Sequence, residues 1–182
     1  MRRISIPHSA AGQRGVNLVE ILAVLLIVSL LAGVAWPAGQ GMIHQAELRS
    51  ATNTAFNALL YTRHEAARLR QTAYLCFIPS TSQPTCQSQS TGTLGVFVEK
   101  SGEADRLVQA FDLSAQARLH FVGIEHPHKI SFGKLGQRER LAEQNGTAYL
   151  NVELASAQRH VEVCYNGRIR IREQLTQSEC QG

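Results

Sequence analysis

The run Val16-Asn17-Leu18-Val19-Glu20-Ile21-Leu22-Ala23-Val24-Leu25-Leu26-Ile27-Val28-Ser29-Leu30-Leu31-Ala32-Gly33-Val34-Ala35-Trp36 holds one ionisable side chain in twenty-one residues. As a helix rising about 1.5 Å per residue it would span about 30 Å, the thickness of a bilayer's hydrocarbon core. The fifteen residues before it are small, polar and basic, with Arg2, Arg3 and Arg14 and no acid. Positive charge on that side keeps the N-terminus cytoplasmic and sends the rest of the chain outward. The run is longer than the apolar region of a cleaved secretory signal, and no A-x-A-like site follows it. The expectation is a segment 1–15 that precedes the helix, a membrane-spanning helix over 16–37, and a periplasmic part from 38 to 182.

Glu20 is the odd residue in this run. A carboxylate early in a membrane span costs about 2.5–3.5 kcal/mol on insertion scales, so it calls for a partner. Cutting the chain after Gly15 would supply one, a free amine on Val16 four residues upstream. Arg14-Gly15 followed by Val16-Asn17-Leu18-Val19-Glu20 and an apolar helix resembles the N-terminus of type IV pilins. That resemblance implies cleavage between Gly15 and Val16 by a prepilin peptidase and N-methylation of Val16. It also implies that Glu20 pairs with a neighbouring subunit's amine in a filament. Pro37 falls where pilin helices commonly kink. Val16 and Asn17 depart from the usual Phe or Met and Thr, but the glycine and the glutamate carry the mechanism.

The 182 residues carry 18 Lys+Arg against 14 Asp+Glu, a formal charge of +4, and 44% are hydrophobic. That composition excludes a disordered or collagen-like chain. Loss of the three leader arginines would leave 15 basic and 14 acidic residues, so the whole-chain charge is no argument for polyanion binding. Four cysteines, Cys76, Cys86, Cys164 and Cys180, fit neither a zinc-ribbon nor a C-x-x-C redox spacing. In an exported domain they read as two disulfides. Of the three possible pairings the two local ones, Cys76–Cys86 and Cys164–Cys180, are favoured. Each would contribute about 2–3 kcal/mol by closing a loop in the unfolded chain.

Between Met42 and Arg70 the residues Ile43, Ala46, Ala51, Ala55, Leu59 and Ala66 recur every three to five positions, with Phe56, Leu60 and Ala67 broadening the stripe. This predicts an amphipathic continuation of the membrane helix. Eight strand-like runs follow: 73–78, 93–99, 107–112, 118–122, 129–132, 147–154, 160–164 and 169–172. Clusters of Gly, Pro, Ser and Asn separate them. The fold class expected is α+β, a type IV pilin-like arrangement in which one long helix packs on an antiparallel sheet domain.

The segment Val161-Glu162-Val163-Cys164-Tyr165-Asn166-Gly167-Arg168-Ile169-Arg170-Ile171-Arg172 carries the candidate binding site. A two-residue Asn166-Gly167 loop would pair Val163 with Arg170 and mix charge with apolar side chains on one face. A three-residue Tyr165-Asn166-Gly167 loop with left-handed Gly167 pairs Val163 with Ile169 and Val161 with Ile171, and the buried face selects it. Arg168, Arg170 and Arg172 then share the other face at steps of about 7 Å, near the phosphate spacing of a nucleic-acid strand. A solvated strand face partly neutralised by Glu162 and Glu173 explains the same spacing. Gly167-Arg168-Ile169-Arg170 resembles the GRxR motif of the GspH/FimT family, whose FimT branch includes DNA-binding minor pilins of natural transformation. Lys134, Arg138 and Arg140, with Lys129, form a basic loop that would add phosphate contacts or simply be solvated.

No Walker loop, G-x-S-x-G or paired-carboxylate segment occurs, and His126-Pro127-His128 offers two imidazoles without a third ligand. No enzyme, cofactor or metal is expected. The expected protein is a minor type IV pilin in the inner membrane, crossing it once, with DNA, other pilins and the prepilin peptidase as partners. DNA would be held as a duplex through its phosphates, without reading of sequence. The alternatives are a GspH-like pseudopilin of a type II secretion system, or a purely structural minor pilin that primes assembly.

Overall fold

The structure, a computed structural model, describes residues 17–82, 84–87, 92–113, 117–122, 128–139, 147–174 and 180, without the side chains of 34–40. One helix, α1 (Leu18–Leu69), is followed by eight strands: β1 (Ala73–Ile78), β2 (Thr93–Val98), β3 (Arg106–Asp112), β4 (Arg118–Val122), β5 (Lys129–Phe132), β6 (Ala148–Leu154), β7 (Ala157–Val163) and β8 (Ile169–Arg172). The chain divides into two compact units, Met1–Gly41 and Met42–Gly182.

In the first unit, Asn17 caps the helix. Its Oδ1 accepts a hydrogen bond from the Val19 amide at 3.3 Å, one of the donors that has no partner inside a helix. Leu18 to Gly33 are exposed along their whole length. Among the described residues no helix is long and apolar enough to cross a membrane. The apolar run extends beyond the side chains that are described, and these stop at Gly33. The membrane span expected over 16–37 therefore rests on the sequence. Helical backbone continues through Pro37.

In the second unit, the helix buries Leu48, Ala51, Thr52, Ala55, Ala58, Leu59, Thr62, Glu65 and Ala66. Spacings of three and four keep these on one face. Thr52 and Thr62 satisfy their buried hydroxyls by donating to the carbonyls of Leu48 and Ala58, at 2.6 and 2.7 Å. The stripe differs from the expected one: Ile43, Ala46, Leu60 and Ala67 are exposed, while Leu48 and Ala58, outside the expected set, are buried. Leu60 and Ala67 each lie one residue past a buried position, about 100° around the helix.

The strands form two antiparallel four-stranded sheets rather than one, in the orders β3-β2-β1-β5 and β4-β6-β7-β8. Each contributes a face to one core together with the helix. Leu75, Phe77, Leu94, Val96, Ile130 and Phe132 come from the first sheet, and Leu119, Leu150, Val152, Val161, Val163 and Ile169 from the second. β1 is buried on both faces, because Tyr74, Cys76 and Ile78 pack with Phe97 on its far side. There the Tyr74 hydroxyl donates to Asp105 Oδ2 at 2.8 Å, and Lys129 Nζ lies 4.4 Å above the ring. Disulfides join Cys76 to Cys86 and Cys164 to Cys180, with Cα–Cα distances of 5.5 and 5.3 Å.

Candidate nucleic-acid interface

The hairpin of β7 and β8 pairs Val163 with Ile169, Glu162 with Arg170, Val161 with Ile171, and His160 with Arg172. That is the register of the three-residue loop. The Gly167 amide donates to the Cys164 carbonyl at 3.0 Å, and the Cys164 amide to the Arg168 carbonyl at 2.8 Å. Gly167 takes φ +81°, which a side chain would strain. Asn166 Oδ1 accepts from the Arg168 amide at 3.0 Å and fixes the tip of the turn.

Val161, Val163 and Ile169 enter the core, so Arg168, Arg170 and Arg172 share the opposite face with His160, Glu162 and Cys164. That face is not uniformly solvated. Arg168 is exposed and makes no ion pair among the described residues, whereas Arg170 and Arg172 are half-buried. Glu162 is 1% exposed, and its Oε2 accepts from Arg172 Nε at 3.1 Å. Glu173, the other acid expected to compete for Arg172, is instead bound by Arg159 at 2.6 Å. Arg168 thus presents its charge, whereas Arg172 spends its own on a buried carboxylate.

The disulfide Cys164–Cys180 brings Cys180 onto this face, where its sulfur lies 3.4 Å from Glu162 Oε1. Glu162, Cys164 and Cys180 converge as three metal ligands would. Both sulfurs are consumed in the disulfide, so this group does not have the thiolates a metal needs. Next along the face, His160 Nδ1 lies 2.7 Å from Asn151 Oδ1, and burial pushes the imidazole below its ordinary pKa.

The basic loop reaches the hairpin through its backbone. The Arg138 amide donates to the Tyr165 carbonyl at 3.1 Å, so the turn 133–137 and the hairpin turn touch. Lys134 is exposed and Arg138 is buried. Lys129 faces the other way, 3.4 Å from Glu99. Arg140 lies outside the described residues, as do Gly15, Val16 and His126. Glu20 is exposed in the first turn of α1. One cation escaped the sequence reading altogether. Arg63, on the helix, lies against both turns, and no local pattern in the sequence marks a contact made across more than seventy residues.

No protein-family profile matches the chain, and no curated protein matches it in sequence. Solved structures do. The chain is similar to the type IV minor pilin FimU of Pseudomonas aeruginosa in two crystal forms. In one the TM-score is 0.54 at 16% identity, covering 70% of this chain and 90% of FimU; in the other it is 0.51 at 15%, covering 68% and 91%. It is also similar to the minor pseudopilin EpsH from the Type 2 Secretion System of Vibrio cholerae. There the TM-score is 0.50 at 15% identity, over 70% of this chain and 97% of EpsH. The fold is pilin-like.

Proposed function

We propose that the chain is a minor type IV pilin of the GspH/FimT kind that binds duplex DNA through its phosphates, for uptake in natural transformation. Cleavage between Gly15 and Val16 by a prepilin peptidase, with methylation of Val16, releases a helix that anchors the protein in the inner membrane. The amphipathic half of that helix leads into a periplasmic domain, and Glu20 pairs with a neighbouring subunit's amine during filament assembly. The observation that carries the DNA reading is Arg168, an exposed guanidinium without a carboxylate partner among the described residues, beside a glycine turn at a hairpin tip. Arg170 stands two residues further on the same face. Guanidinium forks match phosphate oxygens, and neither a recognition helix nor a row of aromatic platforms accompanies them. Similarity to EpsH supports the competing reading, a pseudopilin of a secretion system, equally at the level of fold.

The two readings part on DNA. Full-length protein in detergent micelles, titrated into fluorescent duplexes of unrelated sequence, should bind each at about micromolar affinity in moderate salt. The Arg168→Gln/Arg170→Gln double variant should bind all of them more weakly by the same factor. Wild-type affinity in a normally folded double variant would turn the assignment to the pseudopilin.

A further inference from the structure

Two left-handed glycines, Gly136 (φ +76°) and Gly167 (φ +81°), sit at the tips of neighbouring turns. A Cβ added to Gly167 would run into the Gly136 carbonyl oxygen, so the turns touch backbone to backbone. Arg63 lies in that seam. A Cβ at Gly136 would come 3.3 Å from its Cγ, and one at Gly167 would come 3.1 Å from its Nε. The side chain is half-buried, and its guanidinium makes no ion pair or side-chain hydrogen bond among the described residues. A cation held in place without a counter-charge is a poor stabiliser and a good anion seat.

The charge continues past the seam. Seven residues beyond Arg63, Arg70 follows the last residue of α1, Leu69, with φ +53°. It lines an open cleft of about 720 Å³ with Thr72, Lys134, Leu135 and Glu139. Among the described residues Glu139 is the one acid on this rim, and its Oε1 accepts from Thr72 Oγ1 at 3.4 Å. Arg70 and Lys134 are exposed and make no ion pair among the described residues. In the opposite direction, along β8, the charge of Arg172 is taken up by Glu162.

We infer that the DNA backbone does not continue along β8 past Arg170 to Arg172. It turns at Arg168, crosses the glycine seam over Arg63, and runs into the cleft between Lys134 and Arg70, which makes Arg63 a phosphate-contacting residue. This rests on the reading of the hairpin as a DNA site. It also gives the close approach of the two glycines a purpose: any side chain there would stand between the phosphates and Arg63.

The test compares variants of the full-length protein in detergent micelles, with a short fluorescent duplex titrated at several salt concentrations. Arg63→Met keeps the apolar stem beneath the turns and removes the charge. It should weaken binding about 3- to 10-fold and make the slope of log K against log salt less negative by about 0.9. Arg63→Lys should recover most of the affinity, and Arg70→Gln/Lys134→Gln should weaken binding to a similar degree. Wild-type affinity and slope in Arg63→Met, with weak binding by Arg168→Gln, would overturn the track and leave the hairpin reading standing. Absence of binding by the wild type would remove that reading and the track with it. If Arg63→Met melts early, the exposed Arg70/Lys134 pair decides, and wild-type affinity in that variant overturns the track.

Discussion

Arg168 and Arg172 stand four residues apart on one arm of a hairpin and carry the same charge, yet their surroundings assign them opposite work. Arg172 neutralises Glu162, a carboxylate that is 1% exposed, so removing it strands a buried charge. Arg172→Gln should therefore cost about 1–3 kcal/mol of stability, read by thermal melting, with little direct loss of DNA affinity. Arg168→Gln should do the reverse, melting like the wild type while binding DNA more weakly. His160 adds a pH dependence. Burial lowers its pKa from 6.5, with Glu153 pulling the other way and His120 adding to the fall. The unfolded chain then takes up more protons than the folded one between the lowered value and 6.5. Stability is full above about pH 6.5 and declines as the pH falls through that window. Melting curves taken across the window should show the decline, and His160→Gln should flatten it. The arginine row was legible in the sequence because an Asn-Gly turn between alternating runs fixes which side chains share a face. Its division into paired and unpaired cations was not, since that depends on the burial of Glu162 beneath Arg172.

At the scale of elements, strand positions were legible wherever alternation met a turn residue, and six of the eight strand-like runs coincide with the observed strands or overrun them by one residue. β7 departs most, beginning at Ala157, three residues before the run at 160–164. Gln158 and Arg159 give no apolar alternation, and the preceding Ala155-Ser156 turn has no glycine or asparagine to announce it. Ala155 nevertheless takes φ +53°, a conformation that costs a non-glycine residue about 1–2 kcal/mol. Ala155→Gly should relieve part of that strain and raise the melting temperature by a few degrees. The helix stripe was misjudged at its edges for a related reason: alanine and leucine mark a face by period alone, and only the core decides how wide that face is. The Cys164–Cys180 bond holds Cys180 beside Glu162 on the charged side of the hairpin. Replacing both cysteines with serine should cost about 3 kcal/mol, measured by denaturant unfolding against the intact protein. It should also loosen the cover over Glu162.

For the whole molecule, the sequence carried the long helix and the α+β class, because a twenty-one-residue apolar run and a following stripe have few other uses. The division of eight strands into two sheets was not legible. Strand runs show which faces are apolar but not which strands pair. On the proposed pilin reading, the apolar unit is an anchor before assembly and a filament contact after it. Glu20→Ala should therefore leave membrane insertion intact while reducing incorporation into filaments, scored by immunoblotting of sheared filaments against membranes. The N-terminal residue of membrane-extracted protein should be methylated Val16, and an intact Met1 would contradict the pilin assignment. On the DNA reading, few phosphates and no bases are held by a mature chain with 15 basic and 14 acidic residues. The most direct test of that claim is the affinity of the full-length protein for one duplex measured across a salt series. With about three to five phosphates neutralised, log K should fall against log salt with a slope of roughly −3 to −4.5, the same for unrelated sequences. A slope near zero, or affinity that depends on base sequence at fixed salt, would contradict it.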